Sequence, residues 1–164
     1  MPNARRYLPD IDGLRALAVM AVVLFHLDVP GLDGGYVGVD IFFVISGFLI
    51  SGILVDRING DALSFSEFYS SRIRRLLPAV LATVAVTAVA AVLLLQPLEL
   101  QSFGRSALAA IFSAANFVFY FESGYWDSDS ALKPLLHMWS LGVEEQFYLF
   151  WPALVWLFIK MGGH

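Results

Sequence analysis

The sequence predicts an all-α protein, a polytopic bundle of about five transmembrane helices. Two observations predict this fold class. Hydrophobic residues make up 59% of the 164-residue chain and charged residues only 15%, whereas about a quarter of the residues in an ordinary soluble domain are charged. Apolar stretches of roughly 20 residues, the length that crosses a bilayer as a helix, also follow one another along the chain. One helical membrane domain over 1–164 is therefore expected.

Five apolar stretches are the candidate spans. They cover about 11–28, 37–55, 76–96, 105–121 and 138–160. The fourth is short and carries Ser113 and Asn116, so it either crosses the bilayer or lies re-entrant against other helices. Residues 63–78, LSFSEFYSSRIRRLLP, predict a separate interfacial helix. Pro78 would then lie in the first turn of the third span, where proline is tolerated.

The placement of arginines predicts the orientation. Arg5 and Arg6 precede the first span and four arginines lie between the second and the third, whereas 29–36 contains no Lys or Arg. By the positive-inside rule, the N-terminus and 56–75 are cytoplasmic and 29–36 is outside. Alternation of five crossing spans would place 122–137 inside, although the acidic composition of that loop favours the outside.

Arg15 and His26 are ionisable residues in the apolar first segment. Eleven residues at about 100° each bring a helix back to within roughly 20° of its starting direction, so both side chains lie on one face. Such groups are costly in a membrane unless they face a partner or water, and imidazole is a potential general base near neutral pH. The ordinary alternatives are a helix-end histidine bonded to water or a carbonyl, and an arginine that snorkels or pairs with Asp10 or Asp12.

Asp40 lies near the start of the second segment, GVDIFFVISGFLISGILV. A short loop joins this end to His26, so Asp40 is a candidate supporting residue for that histidine. Its alternative role is an acidic residue at a helix N-terminus, which the helix dipole favours. Gly47 and Ser51 are four residues apart and predict a face for close helix packing.

Arg72 and Arg75 are three residues apart and share a face of the predicted interfacial helix. Such a cluster usually contacts anionic lipid head groups, and the sequence alone favours this interpretation. The alternative is a clamp for the phosphates of a cytoplasmic nucleotide-like donor, because arginine makes bidentate contacts with phosphate.

The fifth segment opens with HMWSLGVEEQFYLFWP, in which His137 and Glu144 are seven residues apart and share a face. Adjacent glutamates, Glu144 and Glu145, need internal partners in a membrane segment, so we expect them to be buried. The chain has no cysteine, which excludes disulfides, thiolate metal ligands and a thiol nucleophile. No metal site is predicted.

Five motifs, in the same order, resemble the membrane acyltransferase-3 family. They are YLPDIDGLRALAV, the pair of Arg15 and His26, GGYVGVDIFFVISGFLI, FYSSRIRRLLPA and LLHMWSLGVEEQFYLFWP. The resemblance implies that His26 is catalytic, with Arg15 as its partner on the helix. Arg72 and Arg75 match the motif linked to donor binding, and Glu144 matches the acidic residue of the family's WSLxVEEQ segment.

The resemblance implies an O-acyltransferase of the bacterial inner (cytoplasmic) membrane, with a cytoplasmic N-terminus. It would move an acyl group, expected to be acetyl, from acyl-CoA as co-substrate to a hydroxyl of a cell-surface carbohydrate or lipid-linked sugar. Glu144, Asp40 or His137 would orient His26. No permanently bound cofactor and no nucleic-acid partner are expected.

The length of the chain departs from the family pattern. Family cores have about ten helices, so the chain resembles the N-terminal half of one, and a C-terminal half is an expected partner. Two alternatives to the enzyme are a non-catalytic membrane fragment or subunit, and a proton-coupled transporter, since intramembrane acidic, histidine and arginine residues also build proton paths.

Overall fold

The computed structural model describes residues 8–122 and 133–162. Within these ranges the chain forms α-helices, one short 3-10 turn and no β-strand, which confirms the all-α fold class. The helices are α1 (Pro9–His26), α2 (Gly38–Asn59), α3 (Phe65–Leu94), α4 (Pro97–Ile111), α5 (Ala115–Glu122) and α6 (Met138–Gly162), and the 3-10 turn is Gly35–Val37.

Two helical stretches in the described part of the chain are long and apolar enough to cross a membrane. They are Gly35–Asn59 and Phe65–Leu94. The total of five spans remains a prediction. Arg5 and Arg6, on which the predicted orientation partly depends, lie outside the described residues.

The chain divides into two compact units, Met1–Ile53 and Leu54–His164. In the first unit, the 3-10 turn and the start of α2 pack closely on α1. A Cβ atom added to Gly38 would lie 2.7 Å from Cγ2 of Val22, and one added to Gly35 would collide with the α1 backbone. Glycine at these two positions therefore permits the close approach of the two segments.

The sequence had placed such close packing at Gly47 and Ser51. The hydroxyl of Ser51 donates a hydrogen bond to the carbonyl of Gly47 within α2, at 2.6 Å, and the packing role of these two residues stays a prediction. The close contacts of glycine that the structure records in this unit are those of Gly35 and Gly38.

In the second unit, α3 is one continuous helix, so the prediction of a separate interfacial helix is wrong. Ser64 caps its N-terminus, because the Ser64 hydroxyl accepts a hydrogen bond from the N–H of Glu67 at 3.3 Å. The helix therefore begins well before Pro78, which lies inside it and not in a first turn. Proline removes one backbone hydrogen bond there, and membrane helices tolerate that loss.

The fourth predicted segment, about 105–121, is interrupted at 112–114. Ser113 has a φ of 56°. Its N–H donates to the carbonyl of Ala110 at 3.2 Å, and the N–H of Ala114 donates to the carbonyl of Ala109 at 2.7 Å. This is the Schellman arrangement that ends helices, in which glycine usually holds the positive-φ position. Because a serine holds that position, no glycine in the sequence marks the end of α4.

Helices α4 and α5 form a hairpin whose two open ends lie together. Glu99, near the start of α4, lines a cavity of about 160 Å³ together with Glu122 and Lys133, and Lys133 pairs with Glu122 at 3.9 Å. The hairpin favours the re-entrant one of the two predicted alternatives for the fourth segment. The side of the membrane on which 122–137 lies stays a prediction.

Candidate functional site

Arg15 and His26 both lie on α1, as the predicted shared face requires. The guanidinium of Arg15 is partly exposed and lies 4.0 Å from the carboxylate of Asp12, which is one of the ordinary partners that the sequence had offered. Arg15 therefore has an ionic partner on its own helix, and its catalytic role stays a prediction.

The imidazole of His26 is oriented by its own helix. Its Nδ1 lies 2.8 Å from the carbonyl oxygen of Val22. Because a carbonyl oxygen only accepts hydrogen bonds, Nδ1 carries the proton in this contact, and the neutral ring then presents Nε2 as an acceptor. His26 is exposed, so this nitrogen is accessible.

Asp40 and His137 are the predicted supporting residues. Asp40 lies exposed in the first turn of α2, and among the described residues no hydrogen bond or ion pair joins it to His26. His137 is exposed just before α6, and its backbone carbonyl accepts a hydrogen bond from the Ser140 hydroxyl at 3.1 Å. Both supporting roles stay predictions.

Arg72 of α3 and Glu144 of α6 meet at Tyr148. The guanidinium carbon of Arg72 lies 5.1 Å from the ring centroid of Tyr148 and 5.6 Å from that of Phe68, both within the range of cation–π contacts. The hydroxyl of Tyr148 donates a hydrogen bond to Oε1 of Glu144, one helical turn earlier. Tyr148 is only 7% exposed, so two partly buried charged side chains contact one buried ring. The structure thus brings together two site residues that the sequence identified separately.

Arg75 does not share the surroundings of Arg72. Arg72 is partly buried, whereas Arg74 and Arg75 are exposed. The side chain of Arg74 donates a hydrogen bond to the hydroxyl of Ser70 on its own helix, at 3.3 Å. A ligand that contacted both residues of the predicted donor motif would therefore extend from the partly buried Arg72 to the surface.

A cavity of about 400 Å³ opens beside Arg72. The tip of the α4–α5 hairpin, α3 and α6 form its walls. Apolar and polar side chains both line it, among them Arg72, Ile73, Leu76, Phe112, Glu145, Gln146 and Leu149. Apolar walls with a few convergent polar groups are typical of small-molecule sites, and the volume lies in the same range. Among the described residues, no three His, Cys, Asp or Glu side chains are grouped to hold a metal ion.

Gln146 of α6 fixes the tip of the hairpin. Its Nε2 donates hydrogen bonds to the backbone carbonyl of Ser113 and to Oδ1 of Asn116, both at 2.8 Å. The Nδ2 of Asn116 donates in return to Oε1 of Gln146 at 3.2 Å. The polar side chain in the fourth segment and the backbone at its break are thus satisfied by one residue, which the sequence analysis had missed.

Three consecutive polar residues of α6 serve three different contacts. Glu144 accepts from Tyr148, Glu145 lines the cavity, and Gln146 bonds the hairpin tip. Consecutive residues of a helix point about 100° apart, so a run of polar residues in an apolar helix indicates several polar partners. That run is the sequence signal that identifies Gln146 as a residue with a polar partner.

The chain is similar to known acyltransferases. A family model described as an acyltransferase domain, Acyl_transf_3, matches residues 8–164. Peptidoglycan O-acetyltransferase OatA of Listeria monocytogenes is 43% identical over 159 residues, which are 96% of this chain and 25% of that protein. O-acetyltransferase OatA of Staphylococcus aureus is 40% identical over 151 residues, which are 92% of this chain and 25% of that protein. The chain thus spans about a quarter of the length of these relatives. No solved structure matches it.

Proposed function

Because the chain belongs to the acyltransferase-3 family, we propose that it supplies part of the active site of a membrane O-acyltransferase. The enzyme would move an acetyl group from acyl-CoA to a hydroxyl of a cell-wall carbohydrate. The observation that carries this proposal is the match over residues 8–164. The Listeria relative, which is named for the O-acetylation of peptidoglycan, indicates the class of acceptor.

Acyl-CoA would bind with its phosphates at Arg72 and Arg75. Guanidinium groups suit this task because they make bidentate, charge-assisted hydrogen bonds with phosphate oxygens. Arg75 is exposed, whereas Arg72 is partly buried at the cavity. This arrangement supports a donor that enters from the surface at Arg75 and reaches inward past Arg72.

His26 would act as the general base. Its Nε2, left free to accept by the contact of Nδ1 with Val22, would take the proton of the acceptor hydroxyl while the hydroxyl oxygen attacks the thioester carbonyl carbon. The carbon–sulfur bond then breaks, and the CoA thiolate takes the proton from the imidazolium. The same Nε2 would carry the acyl group if the transfer ran through a covalent intermediate.

The protein would act in the cytoplasmic membrane with its N-terminus inside. Two long apolar helices and the family support a membrane location, and the arginines of 56–75 support the orientation. A cytoplasmic donor and a cell-wall acceptor then approach the enzyme from opposite sides.

The proposal is tested in the cells that carry the gene. We expect deletion of the gene to lower the acetate that mild base releases from purified cell wall. A plasmid copy of the natural gene should restore the acetate, and His26→Ala should not, although its abundance in the membrane is unchanged. The matched control is Leu27→Ala, at a neighbouring side chain that is 67% exposed, and it should restore the acetate.

Two results would contradict the proposal. If deletion left the ester-linked acetate unchanged in every fraction of the cell envelope, the proposal of an O-acyltransferase would be wrong. Full restoration by His26→Ala would remove His26 from the mechanism and leave the transferase in place.

A further inference from the structure

Tyr148 stands between two charged side chains of the second unit. Arg72 lies over the face of its ring, and Glu144 accepts its hydroxyl hydrogen bond. We propose that Tyr148 is a positioning residue that couples binding of the acyl donor at Arg72 to the orientation of the Glu144 carboxylate. This inference rests on the proposed function, in which Arg72 binds the donor.

The ring of Tyr148 positions Arg72. The guanidinium is held between the Phe68 ring on its own helix and the Tyr148 ring of α6, at 5.6 and 5.1 Å from the two centroids. An arginine side chain has many rotamers, and fixing them before a ligand binds lowers the entropic cost of binding. Two aromatic faces therefore preorganise Arg72 at the edge of the cavity.

The hydroxyl of Tyr148 positions Glu144. Its hydrogen bond to Oε1 is to a charged acceptor when the carboxyl is ionised, and such bonds are stronger than neutral ones. The bond joins residues one turn apart on α6, so it fixes the carboxylate against the helix that carries it. A movement of Arg72 on binding the donor would press on the same ring and thereby reach Glu144.

Ring and hydroxyl can be separated by substitution. Tyr148→Phe keeps the aromatic face for Arg72 and removes only the hydrogen bond to Glu144. Tyr148→Leu removes both contacts. A residue that serves packing alone would tolerate phenylalanine, because the ring fills the same space in the buried position.

The measurements use membranes of cells that make the natural protein or its variants. A thiol reagent detects the CoA released from acetyl-CoA, and membranes of cells that lack the gene give the background that is subtracted. Equilibrium binding of labelled CoA reports donor affinity. For Tyr148→Phe we expect CoA affinity within about twofold of the natural protein and a kcat lowered about tenfold or more. For Tyr148→Leu we expect a similar loss of kcat and a CoA affinity weakened about tenfold.

Tyr120→Phe is the control. It removes the phenol hydroxyl of an α5 side chain that is 73% exposed and does not line the cavity beside Arg72, and it should change neither quantity by more than about twofold. A normal kcat in Tyr148→Phe would overturn the role of the hydroxyl. A weakened CoA affinity in Tyr148→Phe with normal kcat would overturn the division between ring and hydroxyl. If the natural protein released no CoA, the proposed function would fail, and this inference with it.

Discussion

The side-chain amide of Gln146 donates a hydrogen bond to the backbone carbonyl of Ser113, 2.8 Å away. Ser113 is the residue with positive φ at the tip of the α4–α5 hairpin. A backbone turn inside an apolar bundle leaves carbonyl groups without helical partners, and an unsatisfied polar group there is costly. The bond from α6 therefore helps to stabilise the α4–α5 hairpin.

Replacing Gln146 with leucine should destabilise the protein by about 1–3 kcal/mol, because the carbonyl of Ser113 and the amide of Asn116 lose a partly buried hydrogen-bond partner. Thermal unfolding in detergent measures the effect. Gln101→Leu makes the same exchange at an exposed position of α4 and should have little effect. Equal stability of the two variants would show that the bond to the hairpin tip contributes nothing measurable.

Replacing Ser113 with glycine should raise stability by about 1 kcal/mol, because a left-handed conformation costs an L-residue roughly that much and costs glycine almost nothing. Ser71→Gly should have the opposite sign, since Ser71 is exposed within α3 and glycine weakens a helix interior. The same unfolding measurement applies. A lower unfolding temperature for Ser113→Gly would contradict the Schellman turn at this position.

Replacing Gly38 with alanine should destabilise the protein by about 1–3 kcal/mol, because the new methyl group would overlap the backbone carbonyl oxygen of Ala18 and the side chain of Val22 on α1. Gly52→Ala is the control within α2, since an added Cβ there meets nothing within 4 Å, and alanine should be neutral or slightly stabilising. We expect the unfolding temperature to rise from Gly38→Ala to the natural protein, and to be equal or slightly higher in Gly52→Ala. The reverse order would contradict the close packing of α1 and α2.

Single cysteines at Leu98 and Pro134 should react alike with an impermeant thiol reagent in intact cells, because the hairpin returns to the end at which it began. The arginine distribution adds that both should be labelled together with a cysteine at Asp33, whereas one at Asn59 should not. Labelling of only one of positions 98 and 134 would show that the fourth segment crosses the membrane. Labelling at 59 but not at 33 would reverse the orientation.

Replacing Arg72 and Arg75 with glutamine should weaken acyl-CoA binding about tenfold or more, since each charge-assisted contact is worth about 1.5–3 kcal/mol. Of the single lysine variants, Arg72→Lys should bind acyl-CoA more weakly than Arg75→Lys. An ammonium group cannot stack on Phe68 and Tyr148 as the planar guanidinium of Arg72 does. Arg74→Gln is the exposed control. Unchanged binding in the double glutamine variant would contradict the donor site and favour the alternative, in which Arg72 and Arg75 contact lipid head groups.

The sequence by itself determined the helical class and most of the helix positions. Apolar runs and their polar ends are local features, so α1 and α2 lie close to the predicted first and second segments. The shared helix of Arg15 and His26 follows from helical period alone. The Ser64 cap is also a local feature, but Pro78 was predicted to lie in the first turn of a separate span, and α3 is one helix.

Only the tertiary structure decided the hairpin at 112–114 and the meeting of Arg72 with Glu144 at Tyr148. No glycine or proline marks the hairpin tip, and its serine adopts positive φ where Gln146, distant in sequence, supplies a partner for its carbonyl. A local sequence pattern indicates which polar groups will need hydrogen-bond partners. Which partner each group meets depends on how the helices pack, because burial makes an unpaired polar group costly only after distant segments have excluded water from it.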